Sequence, residues 1–321
     1  MAKLAIRKGK KSPGSVLAVA PDVACLQLSM VNVFLVGAPR AGDRSWVLVD
    51  TGMPTSKEAI LRTAAARFGS GARPQAIVLT HGHFDHVGTV QALAEQWDVP
   101  IYAHRLEMPY LTGRSDYPPP DPTVGGGVLA TFASRVFPKK GTDLRPRVQP
   151  LPADGSVPGM PGWRWVHTPG HTPGHVSLFR DSDRVLIAGD AFVTMRQESA
   201  LAVMTRRQEV WRPPAYFTPD WYAAGRSVRA LADLHPSVAA TGHGIPMFGE
   251  PMRRQLENLA RNFDQYVPDH GRYVDHPALA DERGVISVPP KAPDAIPFLL
   301  AAGAAVALGA AFVRAQGRRA V

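Results

Sequence analysis

Cysteine is almost absent from this chain. Among its 321 residues the one cysteine is Cys25, so no disulfide can form within the chain. Cys25 lies in the apolar stretch VACLQL, where we expect a buried structural thiol rather than a reactive one. A secretory signal is also lacking, because the apolar run at 16–20 is short and is followed by Pro21 and Asp22. We therefore expect a domain that is made in the cytoplasm and remains there.

Charged residues are not abundant, and their signs are unbalanced. They make up 20% of the chain, against 45% hydrophobic residues, which is ordinary for a globular protein and argues against global disorder. The net charge is +9, with part of the excess in MAKLAIRKGKK and RAQGRR at the two ends. A basic balance suits nucleic acid, an anionic membrane surface or an acidic ligand. No strong nucleic-acid signal accompanies it, so we expect a small-molecule substrate, with an anionic one favoured by the charge.

Long apolar runs are rare, with one exception at residues 295–313. This segment, AIPFLLAAGAAVALGAAFV, carries no charge and as a helix would extend over roughly 28 Å, enough to cross the hydrocarbon of a bilayer. It is rich in Ala and Gly, which makes it only marginally hydrophobic. Two interpretations stay open: a C-terminal membrane anchor after a Pro-rich linker, within residues 291–321, or a helix packed on the protein or a partner.

The remaining chain predicts a mixture of strands and helices. After a basic tail at 1–15, a domain over 16–290 begins with β-branched runs that end at Asp50. Helical spacing at 56–69 and 86–97 alternates with the short strands AIVLT and VPIYAH, which predicts an α/β arrangement.

The second half of this domain repeats the mixed pattern. The strands WRWVH, HVSLF and RVLIAGD are followed by helical material over 194–234, interrupted by RPPAYFTPDW, then by a strand at 237–244 and a surface helix at 250–267. Residues 105–150 and 194–220 are rich in residue types that are typical of loops, and we interpret them as lid or substrate loops.

The strongest chemical signal is THGHFDHVG, residues 80–88. A buried strand ends at Thr80, and four potential ligands follow at once: His81, His83, Asp85 and His86. Imidazole nitrogen and carboxylate oxygen are the donors that a divalent ion such as Zn²⁺ prefers, and no thiolate is nearby. A polar loop capped by Asp85 is the alternative, but four ligand types at one strand end favour a metal site.

Two further residues occupy similar positions. Asp190 follows RVLIAG at the end of a buried strand, where an unpaired charge would be costly. His243 follows SVAAT and lies between Gly242 and Gly244, which let the backbone approach closely. A helix-capping aspartate and an ordinary loop histidine are the alternatives. Ligands from several strand ends would converge with the first motif and be held firmly.

These motifs resemble those of the metallo-β-lactamase superfamily. HGHFDH matches its H-x-H-x-D-H signature, and TPGHTPG, IAGD and TGHG match its later motifs in order, so the likeness covers roughly residues 20–270. The chain is similar to bacterial metallo-hydrolases of unknown substrate. The resemblance implies an α/β fold of the αββα sandwich type over 16–290, with two metal sites. The implied ligands are His81, His83 and His171 for one ion, and Asp85, His86 and His243 for the other, with Asp190 bridging both.

The expected reaction follows from two metal ions, Zn²⁺ first with Fe or Mn as alternatives. Coordination lowers the pKa of water to roughly 7, so a metal-bound hydroxide is available as nucleophile, with Asp85 and Asp190 as the catalytic carboxylates. A carboxylic ester, thioester or lactone is the favoured substrate. A phosphodiesterase or nuclease-type hydrolase, a single-iron sulfur dioxygenase and a non-catalytic binding protein are the alternatives.

Other polar residues are weaker candidates. Asp50 could orient a ligand histidine or simply cap a turn. His104 could support a ligand or face the substrate, but a satisfied structural histidine is the favoured interpretation. Arg206, Arg207 and Tyr216 could line the entrance for an anionic substrate, although a plain solvated helix face is an equal alternative.

The repeated HTPG of residues 167–175 contains three histidines for which we expect different roles. Two Pro-Gly turns flank His171 and place it at a loop apex, whereas His167 closes one strand and His175 opens the next. We therefore expect His171 to be a ligand and the other two to support the sheet or the ligands.

Overall fold

A computed structural model describes residues 14–29, 31–124, 138–196, 205 and 207–291. Nearly all of the basic tail at 1–15, together with Arg206 and the apolar segment 295–313, lies outside the described residues. Among the helices in the described ranges, none is long and apolar enough to cross a membrane.

The first sheet of the described chain contains seven strands in sequence order. Strands β1 to β4 form an antiparallel meander, and β4 to β7 run parallel to one another. Their bounds are Ser15–Ala20, Val23–Gln27, Asn32–Val36, Val47–Val49, Ala76–Val78, Ile101–Ala103 and Val148–Pro150. The change from antiparallel to parallel pairing at β4 places the ends of β4 and β5 at the same edge of the sheet.

The second sheet has five strands within the described residues, in the order β12, β11, β10, β9, β8. Strands β10 and β11 are parallel, and the other neighbours are antiparallel. The bounds of β8 to β12 are Trp163–His167, Val176–Arg180, Val185–Gly189, Val238–Thr241 and Met247–Phe248. A separate hairpin consists of β13 at Leu279–Asp281 and β14 at Gly284–Ser287.

Helices cover the outer faces of the sheets. In chain order, α1 to α6 are Lys57–Phe68, Phe84–Val87, Val90–Trp97, Met108–Leu111, Trp221–Asp233 and Gly249–Arg261. Short 3-10 turns occupy Arg105–Glu107, Ala215–Phe217 and Phe263–Tyr266.

Three apolar cores separate four layers. One core lies between the first sheet and α1 and α3, a second lies between the two sheets, and a third lies between the second sheet and α5 and α6. Successive residues of β10 face different cores, as Leu186 packs toward the helices and Ile187 toward the other sheet. The architecture is the expected αββα sandwich, and Cys25 is buried between the sheets as expected.

The helix predicted over 86–97 is interrupted at Gly88 and Thr89. The Gly88 N–H donates to Gly52 O at 2.8 Å, and a Cβ at Gly88 would lie 2.6 Å from that same oxygen. The close approach to the 52–54 segment ends α2 after one turn, so His86 and the helix α3 belong to different elements.

Three other expectations need correction. The segment 105–150 is not loop throughout, because a helical turn and α4 follow Arg105, and β7 adds a strand by pairing with β6. Residues 207–211 are not helical, and Trp211 instead pairs with Val193 in an isolated bridge, whereas the interruption expected at 212–221 is present and α5 begins at Trp221. The helix expected over 250–267 is α6 followed by a 3-10 turn. Strands β12 to β14 are too short to give a periodic signal.

Asn32 connects the first sheet to the loop after β11. Its side-chain amide donates to Thr241 O at 2.8 Å and to Gly244 O at 2.7 Å, and its backbone N–H donates to Gly242 O at 2.7 Å. The side chain is 3% exposed, so these bonds are shielded from water.

We predict that Asn32→Ala lowers the free energy of unfolding by roughly 1–3 kcal/mol, because two carbonyl oxygens lose their donor. Urea denaturation followed by circular dichroism measures this change. Asn262→Ala is the matched control, since its amide bonds are exposed and the expected change is within about 0.5 kcal/mol. Equal stability of the two variants would contradict the assignment.

Candidate metal centre

Seven titratable side chains converge where the strand ends of the two sheets meet. They come from the loop after β5 and the short helix α2, from the loop between β8 and β9, and from the loops after β10 and β11. A backbone hydrogen bond of 2.9 Å from Val176 N to Thr80 O joins the two sheets at this point. The seven residues are His81, His83, Asp85, His86, His171, Asp190 and His243.

His81, His83 and His171 form a three-histidine group. The Nδ1 atom of His83 lies 3.1 Å from His81 Nε2 and 2.9 Å from His171 Nε2. Three ring nitrogens thus face one point, and all three rings are at most 5% exposed. Neutral imidazoles so arranged offer three lone pairs to one cation.

Asp85, His86 and His243 form a second, acidic group. Their potential ligand atoms also lie within 4.8 Å of one another, and His243 Nε2 is 3.5 Å from Asp85 Oδ2. Asp85 and His86 are held by the single turn of α2, while His243 arrives from the other sheet.

Asp190 lies between the two groups. Its Oδ2 atom is 3.5 Å from His171 Nε2, 3.6 Å from His86 Nε2 and 3.0 Å from His243 Nε2. The carboxylate is 1% exposed. A Cβ at Gly242 would clash with its Oδ1 atom, so only glycine leaves room for Asp190 there. This placement lets one carboxylate contact ligands of both groups.

Asp50 fixes the orientation of two of the rings. Its Oδ2 atom accepts from His86 Nδ1 and from the hydroxyl of Thr80, each at 2.8 Å. Because the Thr80 hydroxyl hydrogen is used in that bond, its oxygen accepts from His81 Nδ1 at 3.1 Å. The Nε2 atoms of His81 and His86 are therefore turned toward the cluster. Asp50 thus contacts His86 directly and His81 through Thr80, and its role in orienting a ligand stays a prediction.

The electrostatics of the two groups differ. Burial lowers the pKa of His81 and His171 well below the ordinary value and that of His83 to about 3, and neighbouring imidazoles act in the same direction. These rings are neutral at pH 7.

The acidic group attracts positive charge. Burial would lower the pKa of His86, but Asp50, Asp190 and Asp85 outweigh it and hold that pKa well above the ordinary value. Burial would also lower the pKa of His243, but Asp190 and Asp85 outweigh burial and raise that pKa. Burial would raise the pKa of Asp190, but His243 and His86 hold it well below the usual range. A cation at this end of the cluster is therefore stabilised by the carboxylates.

The donor set fits divalent metal ions. His86 Nε2 and Asp190 Oδ1 are fully buried and have no hydrogen-bond partner among the described residues. Buried polar atoms without partners are costly, and metal coordination satisfies such atoms. Nitrogen and carboxylate donors without thiolate suit Zn²⁺, Fe or Mn.

A narrow cleft with a cavity volume of about 10 Å³ opens beside the three-histidine group. Its walls are largely aromatic and proline residues, and among the described residues no Lys or Arg lines it. The lining residues are His83, Tyr117, Pro118, Pro119, His171, Tyr216, Phe217, Pro219 and Tyr273.

The comparisons with known proteins agree with this geometry. The family model described as the metallo-beta-lactamase superfamily matches residues 26–243. The chain belongs to the metallo-beta-lactamase superfamily. A probable metallo-hydrolase of Bacillus subtilis, YflN, is 48% identical over 247 residues, which cover 77% of this chain and 93% of that protein. This superfamily member is accordingly a metallo-hydrolase, and the non-catalytic alternative is set aside.

Two more distant similarities add detail. A metallo-beta-lactamase family protein of Thermus thermophilus has the same fold, with a TM-score of 0.50, 24% identity and coverage of 77% of this chain and 81% of that one. The hydroxyacylglutathione hydrolase GloC of Haemophilus influenzae is 29% identical over 115 residues, covering 36% of this chain and 48% of that protein.

The other candidate residues of this metallo-hydrolase are not grouped together. Tyr216 lines the cleft, as expected. Arg207 does not, because it lies 3.7 Å from Glu209 in a separate surface groove that Arg254 also lines. His104 also lies away from the cleft: it accepts from Leu106 N and so caps the helical turn that follows it.

The three histidines of the HTPG repeat have three roles. His171 joins the ligand group. His167 is exposed, and its ring stacks on that of His104 with the ring centroids 4.3 Å apart. His175 is fully buried, and its Nε2 accepts from the backbone N–H of Asp190 at 2.8 Å, so its Nδ1 carries the proton that faces Thr168 Oγ1. His175 thus holds the backbone of Asp190.

Sequence reasoning missed Glu107 and Tyr117. The buried Glu107 carboxylate accepts from Gly82 N and Thr172 Oγ1, in both ligand loops, and from Tyr117 Oη. The helix-like stretch RLEMPYL contains no metal-binding motif. A single acidic residue among apolar ones could have indicated a buried carboxylate with hydrogen-bond partners.

We predict unequal effects of alanine at the three repeat histidines. His171→Ala removes one of three nitrogens from its group, so metal analysis gives one ion per chain instead of two. His175→Ala keeps both ions at saturation but binds them about 10–100-fold more weakly, because Asp190 loses its support. His167→Ala is the control and keeps wild-type content and affinity. Equal metal loss from all three variants would contradict the assignment.

Proposed function

We propose that this metallo-hydrolase cleaves a carboxylic ester, thioester or lactone with two divalent ions, Zn²⁺ being favoured by the donor set. His81, His83 and His171 hold one ion, and Asp85, His86 and His243 hold the other, with Asp190 shared. When bound, such ions supply a water acidic enough to attack at neutral pH and a Lewis acid for the substrate oxygen.

The observation that supports this choice of substrate is the composition of the cleft. Tyr117, Tyr216, Phe217 and Tyr273 with three prolines provide an apolar surface beside His83 and His171. Contact with these rings at the narrow cleft favours an acyl group or an apolar alcohol portion over a charged one. A phosphodiester carries a charge, and its binding calls for Arg or Lys, which the described part of the cleft lacks. The hydroxyacylglutathione hydrolase activity named for GloC, a partial relative, is consistent with acyl chemistry.

Asp85 is suited to proton transfer. Its side chain is 14% exposed, whereas that of Asp190 is 2% exposed. A carboxylate that solvent reaches can orient the attacking water and pass its proton outward. Asp190 is held by His175 through its backbone and is suited to positioning.

The intact acidic group disfavours the single-iron alternative. A dioxygenase with one iron requires one ligand group, yet Asp85, His86 and His243 form a second set within coordination range of one another. Two ions of a hydrolase account for all seven donors.

We predict that the purified protein binds two divalent ions and hydrolyses nitrophenyl esters, thioesters or lactones faster than bis-nitrophenyl phosphate. Phe217→Ala should raise KM for apolar esters about tenfold, because it removes part of the cleft wall. Phe248→Ala is the matched control, since this exposed ring lies outside the cleft. Preference for the phosphodiester, or one bound iron with oxygen consumption, would reject the proposal.

A further inference from the structure

Glu107 is a fully buried carboxylate outside the ligand set. Its Oε1 atom accepts from Thr172 Oγ1 at 2.7 Å and from Gly174 N at 2.8 Å. Its Oε2 atom accepts from Gly82 N at 2.9 Å and from the hydroxyl of Tyr117. Each oxygen therefore has two donors, and none of the four belongs to Glu107's own helical turn.

These donors lie in the loops that carry the three-histidine group. Gly82 separates His81 from His83, and Thr172 follows His171 directly. One side chain thus spans the loop of the first sheet and the loop of the second. The tyrosine donor adds a link to the cleft, because the ring centroids of Tyr117 and His83 lie 4.7 Å apart.

The four donors match the ionised form of Glu107. A carboxylate accepts at all four positions, whereas a protonated acid would have to give its hydrogen to the Tyr117 or Thr172 hydroxyl, since the two backbone N–H groups cannot accept. Burial raises the pKa of Glu107 above its ordinary value, and the hydrogen bonds from Tyr117, Thr172, Gly174 and Gly82 offset only part of that rise.

Packing around Glu107 is equally restrictive. A Cβ at Gly174 would lie 2.6 Å from Glu107 N and 2.8 Å from its Cγ. A Cβ at Gly82 would clash with Tyr117 Oη and lie 2.8 Å from a Leu111 methyl. Both ligand loops therefore contact the 107–117 segment through glycine, with the backbone close enough to donate to Glu107.

We propose that Glu107 is a positioning residue that holds the loops of His81, His83 and His171 in the arrangement that binds one divalent ion. This inference rests on the proposed function, since it assigns Glu107 to one of the two proposed metal sites. Glu107 acts through the two loops and does not touch the ion or the substrate.

Glutamine is the informative substitution because it keeps the size of the side chain. Its NH₂ group must face either Gly82 N–H or Gly174 N–H, and both are donors. The hydroxyls of Tyr117 and Thr172 can turn to accept, but a backbone N–H cannot. Glu107→Gln therefore releases one ligand loop in either orientation of the amide.

The test is titration of the metal-free protein with Zn²⁺ and Co²⁺ against a chelating dye. We expect Glu107→Gln to weaken one of the two binding steps about 10–100-fold and to leave the other unchanged. Hydrogen exchange at the backbone N–H of Gly82 or Gly174 should become faster, which reports on the loops independently of metal binding. The absorption of Co²⁺ at the weakened step should change as well.

Asp121→Asn is the matched control. Asp121 is 1% exposed and accepts from Thr123 N, Thr123 Oγ1 and Arg272 N, so the same change disrupts a buried network without contacting the ligand loops. It should lower thermal stability and keep both metal steps. The proposal is overturned if Glu107→Gln binds both ions as the wild type does, or if Asp121→Asn weakens the same step. Failure of the proposed function would instead appear in the wild type, as fewer than two ions bound.

Discussion

The centre depends on the hydrogen bonds of Asp50 at the end of β4. This carboxylate is 0% exposed, and it accepts from His86 Nδ1, Thr80 N and Thr80 Oγ1. An unpaired buried charge would be costly, so the same bonds that stabilise Asp50 also set the rotation of its partners. Asp50 itself has a positive φ of 58°, an uncommon backbone conformation that directs its side chain across to β5. The hydrogen bonds that keep this region stable are therefore the same ones that set the orientation of the two histidine rings.

A division of charge follows from the placement of the carboxylates. Asp50, Asp85 and Asp190 surround His86 and His243, whereas His81, His83 and His171 contribute neutral rings. Asp190 contributes negative charge beside the three-histidine group, with its Oδ2 atom 3.5 Å from His171 Nε2. This distribution supports the proposal of two cations, because Asp190 lies between the two groups and Asp85 faces His243.

The sequence predicted part of the cluster from one local motif, because His81, His83, Asp85 and His86 follow a strand within six residues. The grouping of these four with His171, Asp190 and His243 was implied by the resemblance, and the structure brings all seven together. Their role as metal ligands stays a prediction. Alternating strands and helices predicted an α/β fold, and the resemblance implied the αββα class. Helix boundaries were less predictable: the break at Gly88 depends on contact with Gly52, which is distant in sequence, and the β7 edge depends on pairing with β6.

The partners of the supporting residues could not be predicted for the same physical reason, although Asp50 and His175 were named as candidates for support. Glu107 is 65 residues from Thr172 and 25 from Gly82, so no local pattern connects them. His175 looked like a strand residue, yet its bond to Asp190 N spans 15 residues and crosses between β9 and the end of β10. A sequence motif identifies side chains that share one loop, while buried hydrogen bonds decide how separate loops are held together. In this protein the buried hydrogen bonds determine the shape of the centre, because every ligand loop is held by a residue from a different element.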